Sequence, residues 1–227
     1  MNTMKKNILI IVSHPDDEIL GCGGTINRHI KNKDKVHVYF THEGSSARFD
    51  NQNDPRIHLE IKKRNHAATK LAKDFNYRIL GFGNNINLYS NKVDHLKNIK
   101  EISKIIALIK PDIIYTHFYD DLNPDHNLTY KFVVSACRPV GFLVKEIYLM
   151  EISSSTDWNI GNKFSPDTFV NVDINKKHKM LHYYQSEMRK GAHSRSKKNI
   201  ESMAKYRGGQ AGIDYAEAFM TYRKIYL

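Results

Sequence analysis

Cysteine is scarce in this chain of 227 residues, which contains only Cys22 and Cys137. Two cysteines cannot build the disulfide framework of a small secreted protein, so both are predicted to remain thiols in a reducing compartment. Long apolar runs are also missing. The run at Ile8–Val12 is far shorter than the roughly 20 apolar residues of a membrane-spanning helix, and too short for a signal peptide. These absences predict a cytoplasmic protein without an integral membrane segment.

Proline and glycine are few as well, with 6 and 12 residues, while 41% of the chain is hydrophobic. This composition excludes collagen-like, low-complexity and broadly disordered proteins. The length predicts one domain with a substantial core. Acidic residues are outnumbered, because 35 Lys and Arg face 24 Asp and Glu, which gives a net charge of +11. A surplus of this sign favours nucleic acid, anionic lipid or a phosphorylated small molecule as partner.

Short apolar segments of strand length alternate with segments of helical period. The predicted strands of the first part are Ile8–Val12, Val36–Thr41, Tyr77–Phe82 and Asp112–His117, with helices between them and from Asn123 to Cys137. This alternation predicts an α/β fold whose mostly parallel sheet carries helices on both faces. Ligands of such sheets bind at the carboxyl edge of the strands.

The pattern changes after Pro139. Further strands are predicted at Glu146–Ile152 and Thr168–Ile174, with helices near Asn175–Ser186 and Ser194–Tyr206. No linker rich in Pro, Gly or Ser divides the chain. We therefore expect a single domain over residues 1–227, with a core of residues 1–138 and a C-terminal part, 139–227, that completes the site.

The first candidate site follows the first strand directly, as Ser13-His14-Pro15-Asp16-Asp17-Glu18. His14 and Asp17 are three residues apart, so one helical turn can direct both side chains at the same ion. Zinc-like cations accept imidazole nitrogen and carboxylate oxygen. Asp16 would lie beside the ion, where a general base for water belongs. The alternative interpretation is that these acids only cap a helix.

The second candidate site, Thr116 to His126, follows another predicted strand. His126 could complete a triplet with His14 and Asp17 and leave one coordination position open, as catalytic zinc sites require. Asp125 could orient a ligand or a donor from behind. The alternative for a single loop histidine is a solvated side chain.

Together the two motifs resemble the PIG-L/LmbE family of metal-dependent N-acetylglucosaminyl deacetylases. The resemblance covers essentially the whole chain, because the segments Glu151–Trp158 and Tyr206–Phe219 are also similar to bacterial members. It implies a Rossmann-like sheet and a zinc ion, with Fe²⁺ as an alternative, held by His14, Asp17 and His126. It also implies that Asp16 is the general base and then protonates the leaving amine.

The activity implied is hydrolysis of the N-acetyl group of an amino sugar, which releases acetate and a free amine. The sugar would be of the N-acetylglucosamine type, either free or linked to a nucleotide, a phosphate or a lipid. A small, anionic sugar is accordingly the expected partner, rather than nucleic acid. A deacylase acting on a non-sugar amide stays open as an alternative, as does a polyanion-binding protein.

Some positions depart from the family pattern. Asn123 stands where several members have a histidine that acts as an electrophilic donor, and an amide can donate a hydrogen bond but carries no charge. His193 is our candidate substitute, either for contact with the substrate or for stabilisation of the oxyanion. Arg48, Arg56 and Arg195 are candidate cations for the sugar or its phosphate.

Family members also carry Arg and Glu in the helix after the second strand. The nearest matches here are Lys63 or Arg64 and His66, and the alignment between them stays open. The run Gly21-Cys22-Gly23-Gly24 does not fit a dinucleotide-binding loop, because seven residues, 14–20, lie between Ser13 and the first glycine. We expect its small residues to let a helix pack closely on the sheet.

The positive charge is concentrated in Ile174–Gly208, which holds ten Lys and Arg and only two acids, Glu187 and Glu201. This segment supplies 8 of the 11 surplus charges. A solvated helical face, a nucleic-acid surface and a grip for an anionic substrate all fit this pattern. We expect the last of these, with Arg195, Lys197 and Lys198 as its candidate contacts.

Overall fold

The computed structural model describes residues 5–51, 53–85, 94–161 and 163–226. Within these residues the chain forms seven strands and six α-helices. The strands are β1 (Asn7–Val12), β2 (Lys35–His42), β3 (Arg78–Asn85), β4 (Ile113–His117), β5 (Glu146–Met150), β6 (Thr168–Asn171) and β7 (Ala216–Lys224). The helices are α1 (Asp17–Lys31), α2 (Arg56–Asp74), α3 (His95–Ile109), α4 (Pro124–Ala136), α5 (Ile174–Leu181) and α6 (Lys197–Ala211). Short 3₁₀ turns lie at Ser46–Arg48 and His182–Tyr184.

All seven strands belong to one sheet, in the order β3-β2-β1-β4-β5-β7-β6. The strands from β3 to β5 run parallel, whereas β7 lies antiparallel between β5 and β6. The prediction of a mostly parallel α/β sheet in one domain is confirmed. The order reverses between β1 and β4, and such a reversal opens a crevice at the carboxyl ends of the two strands.

Helices cover both faces of the sheet, as predicted. Successive side chains of a strand point to opposite faces. Ile8, Ile10 and Val12 of β1 accordingly pack in a core with residues of α1, α2, α5 and α6. Leu9 and Ile11 pack in a second core with α3 and α4. Because β1 is buried on both sides, its end is a rigid point from which a site can be built.

The glycines of α1 allow the close packing that the sequence predicts. A Cβ added at Gly21 would lie 2.4 Å from Met150 Sδ, and one at Gly24 would lie 2.5 Å from Val172 Cβ. The helix is kinked between them, at Cys22. Beyond the kink, the Glu217 carboxylate accepts the N–H of Gly24 at 2.8 Å and so replaces a helical partner.

Some sequence-predicted details differ from the structure. The helix expected to run to Ser186 ends at Leu181 and continues as a 3₁₀ turn. Leu59, expected on the core side of α2, is 53% exposed, because it lies about 200° around the helix from Ile57. None of the helices in the described part of the chain has the length and apolar composition that a bilayer crossing requires.

Candidate metal centre and catalytic pocket

The two candidate motifs meet at the carboxyl edge of the sheet. The segment from His14 to Asp17 follows β1, and the segment from Asp121 to His126 follows β4. Since β1 and β4 are adjacent and parallel, with Ile8 opposite Ile113, both segments leave the sheet at the same crevice. The fold therefore brings together residues that are more than a hundred positions apart.

Three buried side chains form a group that could hold a metal ion: His14, Asp17 and His126. Their candidate ligand atoms all lie within 4.8 Å of one another. Asp17 Oδ2 is 3.2 Å from His14 Nδ1 and 3.2 Å from His126 Nε2. Within the described residues, neither Asp17 Oδ1 nor His126 Nε2 has a hydrogen-bond partner. Buried polar atoms without partners are costly, so a cation coordinated by these atoms fits the site.

A carboxylate stands behind each histidine of this group. His14 Nε2 is 2.8 Å from Asp125 Oδ2, and His126 Nδ1 is 3.1 Å from Asp121 Oδ1. A carboxylate accepts hydrogen bonds, so a neutral ring would carry its hydrogen on the nitrogen that faces Asp125 or Asp121. With a cation bound, the other nitrogen of each ring would supply the lone pair, as in metal-ligating histidines.

The electrostatic field of the group favours positive charge. Burial alone lowers the pKa of His126, but the carboxylates of Asp17 and Asp121 outweigh it and raise that pKa to about 10. Burial acts to raise the pKa of Asp17, yet His126 and His14 hold it well below its usual range. A site that stabilises a proton so strongly on His126 also stabilises a cation in its place.

The Asp16 backbone adopts an unusual conformation. Its φ of 140° lies in a region that non-glycine residues rarely occupy. The Asp16 N–H donates to Glu18 Oε2 at 3.0 Å, and the Tyr184 hydroxyl donates to Glu18 Oε1 at 2.6 Å. The strained turn is thus fixed from α1 and from the C-terminal part of the chain.

Two arginines hold the Asp16 carboxylate. Arg64 Nη2 lies 3.0 Å from Oδ1, and Arg195 Nη1 lies 3.0 Å from Oδ2. Burial raises the pKa of Asp16, and the two guanidinium groups oppose this without cancelling it. A carboxyl group with a raised pKa is better matched to proton transfer near neutral pH.

Glu187 connects the arginines around Asp16. Its carboxylate lies 3.6 Å from Arg64 Nε and 3.9 Å from Arg195 Nη1, and it pairs with Arg48. Three guanidinium groups and two carboxylates therefore form one ion-pair network. Each arginine has an acidic partner before any substrate binds. These partners hold the guanidinium groups in position and offset most of their positive charge.

A cavity of about 350 Å³ opens next to this network. Its lining includes His14, Arg48, Arg64, Asn123, Asp125, Ser154, Ser155 and Arg195. Asn123 is the N-cap of α4, and its Oδ1 accepts the N–H of Asp125 at 2.9 Å. The predicted residues Arg48, Arg195, Asn123 and Asp125 are thus brought to one pocket.

The structure does not bring two other predicted residues to this pocket. Arg56 is exposed at the start of α2, where Asp54, two residues earlier, captures its guanidinium with an Nη2–Oδ2 distance of 2.6 Å. His193 contacts Trp158 with ring centroids 4.8 Å apart and ring planes tilted by 59°, and its Nδ1 accepts the N–H of Arg195. Neither is among the described residues that line the cavity.

Residues that the sequence analysis did not assign also lie at the site. Arg64 was only one of several possible matches to the family pattern. It lies on the buried face of α2 together with Ile57 and Ala68. A charged residue at a core-facing helix position is a sequence signal that could have indicated its place in the site. Glu187 is one of two acids in a basic segment, which is a weaker signal. The His117 ring stacks on that of His126 at a centroid distance of 3.9 Å.

Comparison with known families agrees with this geometry. The family model described as PIG-L, GlcNAc-PI de-N-acetylase, matches residues 9–137, which is more than half of the chain. The chain belongs to the PIG-L family. The matched region of this PIG-L protein contains both motifs and the whole His14, Asp17 and His126 group, and the resemblance inferred from the sequence is confirmed.

Solved structures share the fold of this PIG-L protein. N,N'-diacetylchitobiose deacetylase from Pyrococcus horikoshii is 18% identical with a TM-score of 0.76, covering 96% of this chain and 84% of its own. The 4-carboxy-2-hydroxymuconate hydratase GalB from Pseudomonas putida is 19% identical with a TM-score of 0.79, covering 98% of both chains. The zinc-inhibited form of teicoplanin deacetylase Orf2 is 16% identical with a TM-score of 0.72, covering 94% and 97%. At these identities the likeness concerns the fold.

Proposed function

We propose that this PIG-L protein is a metal-dependent hydrolase that removes the N-acetyl group of an amino sugar of the N-acetylglucosamine type. The observation that carries the proposal is the buried group of His14, Asp17 and His126 with the Asp16 carboxylate fixed beside it. The description of the family as de-N-acetylases supports it. So do similar structures named for deacetylation of chitobiose and teicoplanin.

His14, Asp17 and His126 would hold a divalent cation, for which zinc is our assignment and Fe²⁺ the alternative. Two imidazole nitrogens and one carboxylate oxygen are a donor set that zinc accepts, with a position left for water or substrate. Such a cation activates a water and polarises the acetamide carbonyl when it is bound. Asp125 and Asp121 position the two histidine rings from behind.

Asp16 moves the proton in this mechanism. Its carboxylate accepts a proton from the water whose oxygen forms the new bond to the acetamide carbon. The protonated Asp16 then donates that proton to the nitrogen as the C–N bond breaks, and acetate and a free amine leave. Arg64 and Arg195 keep the carboxyl group in one orientation through both transfers.

The other polar groups of the pocket bind and orient the substrate. Asn123 lines the cavity, and we assign its amide as a neutral hydrogen-bond donor to the developing oxyanion. Arg48 and Arg195 also line the cavity and are assigned to the sugar. His193 lies outside the lining, so its predicted role as the replacement donor has no support from the pocket geometry.

Release of acetate from a panel of N-acetyl sugars tests this proposal. The panel contains free, phosphorylated, nucleotide-linked and lipid-linked forms, and the protein is used metal-free, with added zinc and with added Fe²⁺. We expect acetate only with metal and only from amino sugars. Hydrolysis confined to a non-sugar N-acyl amide would replace the substrate class, and DNA binding that survives chelation without any hydrolysis would overturn the proposal.

A further inference from the structure

A second cavity, of about 400 Å³, lies beside the catalytic pocket. We call it the aromatic groove. Its lining includes Asp157, Trp158, Ser194, Asn199, Met203 and Tyr206. The proposed reaction leaves this groove without a role.

The catalytic pocket and the aromatic groove share a wall. Ser154 lines the pocket, and its N–H donates to Asp157 Oδ1, which belongs to the groove, at 2.6 Å. Arg195 lines the pocket, while the preceding residue, Ser194, lines the groove and donates its hydroxyl to Asp157. The same backbone segments therefore bound both cavities and place the groove next to the pocket.

The groove presents aromatic surface to solvent next to polar groups. Trp158 is the only tryptophan of the chain, and it is 49% exposed, while Tyr206 is 59% exposed. The His193 ring packs on Trp158, which limits the orientations of the indole. Leaving a large ring half in water forgoes much of its hydrophobic stabilisation, whereas a ligand stacked on it recovers that free energy.

We propose that the aromatic groove binds a second sugar ring, joined to the amino sugar whose acetamide lies in the catalytic pocket. This inference rests on the proposed function. A pyranose has an apolar face of C–H groups that suits an aromatic ring, and a rim of hydroxyls that suits Asp157, Ser194 and Asn199. A volume of about 400 Å³ lies within the range of small-molecule sites. His193 acts here as the support of Trp158 and not as an oxyanion donor.

Intrinsic fluorescence tests the binding without requiring turnover, because every tryptophan photon comes from Trp158. The Asp16→Asn variant is titrated with N-acetylglucosamine and with N,N'-diacetylchitobiose. We expect the disaccharide to change the emission and the monosaccharide to leave it unchanged. The proposal would be overturned if calorimetry detected binding of the disaccharide without a change in the Trp158 emission. It would also be overturned if the disaccharide did not bind at all.

Kinetics on the metal-loaded protein separates this inference from the proposed function. Trp158→Ala should lower kcat/KM for the disaccharide about tenfold and leave the monosaccharide rate unchanged, and Trp158→Phe should restore most of the loss. Tyr226→Ala, at an exposed ring that lines neither cavity, is the control. Equal losses on both sugars would refute the groove assignment. Failure to hydrolyse either sugar with the unchanged protein would refute the function, while the fluorescence titration still decides the groove.

Discussion

The Asp16 side chain and its backbone are held by separate contacts, which makes the residue testable by a conservative change. Asp16→Asn keeps the size, and asparagine tolerates positive φ better than most residues. The amide cannot accept the proton of a water, so kcat should fall by about 10²–10⁴-fold, the usual contribution of a general base. Because Asp16 is outside the ligand group, zinc content measured by mass spectrometry should not change. Loss of metal would place Asp16 among the ligands instead.

The ligand group itself is tested at His126. His126→Ala removes one of three donor atoms and should abolish both stoichiometric metal binding and acetate release. His193→Ala, at a histidine outside the group, is the matched control and should retain full metal content. Retained metal with a near-normal rate in the His126 variant would refute the assignment.

Metal binding should release protons, because His126 has a folded-state pKa of about 10 in the metal-free protein. The sign follows from the raised pKa. Stability contributed by the charged ring is present in full below its unfolded value near 6.5 and is lost as the pH rises towards 10. At pH 8 the incoming cation displaces that proton. Calorimetry in two buffers of different ionisation enthalpy should report at least one proton released per cation, and none if the ring is already neutral.

Some residues around Asp16 could be predicted from the sequence, and others could not. His14, Asp17 and His126 could be predicted because each sits in a short motif at the end of a buried strand. Arg64 and Glu187 reach the same point from α2 and from the segment after α5, and only tertiary packing brings them there. Arg56 is also an arginine of α2, but it pairs with the Asp54 carboxylate two positions earlier and so does not reach the pocket.

At the scale of elements, α1 depends on small residues where it crosses the sheet. Gly24→Ala would place a methyl group 2.5 Å from Val172 Cβ, whose branched side chain cannot swing away. We expect a loss of about 1–3 kcal/mol in the free energy of unfolding, the usual cost of overpacking. Chemical denaturation of the metal-free protein measures it.

Gly209→Ala in α6 is the matched control. Among the described residues, nothing lies within 4 Å of a Cβ at this position, and Gly209 is inside the helix. Alanine should therefore be neutral or stabilise the protein by up to about 1 kcal/mol. A Gly24 variant as stable as this control would show that α1 can move away from the sheet.

The elements themselves differ in how well the sequence predicts them. The strands β1, β2 and β4 are short apolar runs. A strand that is buried on both faces needs apolar residues at nearly every position, so it can be recognised from the sequence. The place of β7 is a different matter, since it inserts antiparallel between β5 and β6. Its pairing depends on long-range contacts that no local period records, such as Glu146 with Lys224.

At the scale of the whole molecule, part of the positive charge of the basic segment Ile174–Gly208 is paired with acids from the rest of the chain. Lys177 pairs with Glu217 at 2.7 Å, and Arg207 pairs with Glu151 at 2.7 Å. Arg195 pairs with Asp16. The basic segment is therefore not one solvated face, because some of its cations hold the sheet and the site together. The exposed cations, such as Lys197 and Lys198, remain as sources of a long-range field.

That field should act on the rate of substrate association rather than on contacts within the pocket. The pocket arginines already have carboxylate partners, so an anionic substrate would be drawn in mainly by the exposed charge. Changing both Lys197 and Lys198 to Gln should lower kcat/KM severalfold for a phosphorylated N-acetyl sugar at low salt. It should leave the neutral sugar unaffected. The difference should vanish near 1 M salt, where the Debye length is about 3 Å. Equal effects on both sugars, or a salt-independent one, would mean that the surplus charge does not steer the substrate.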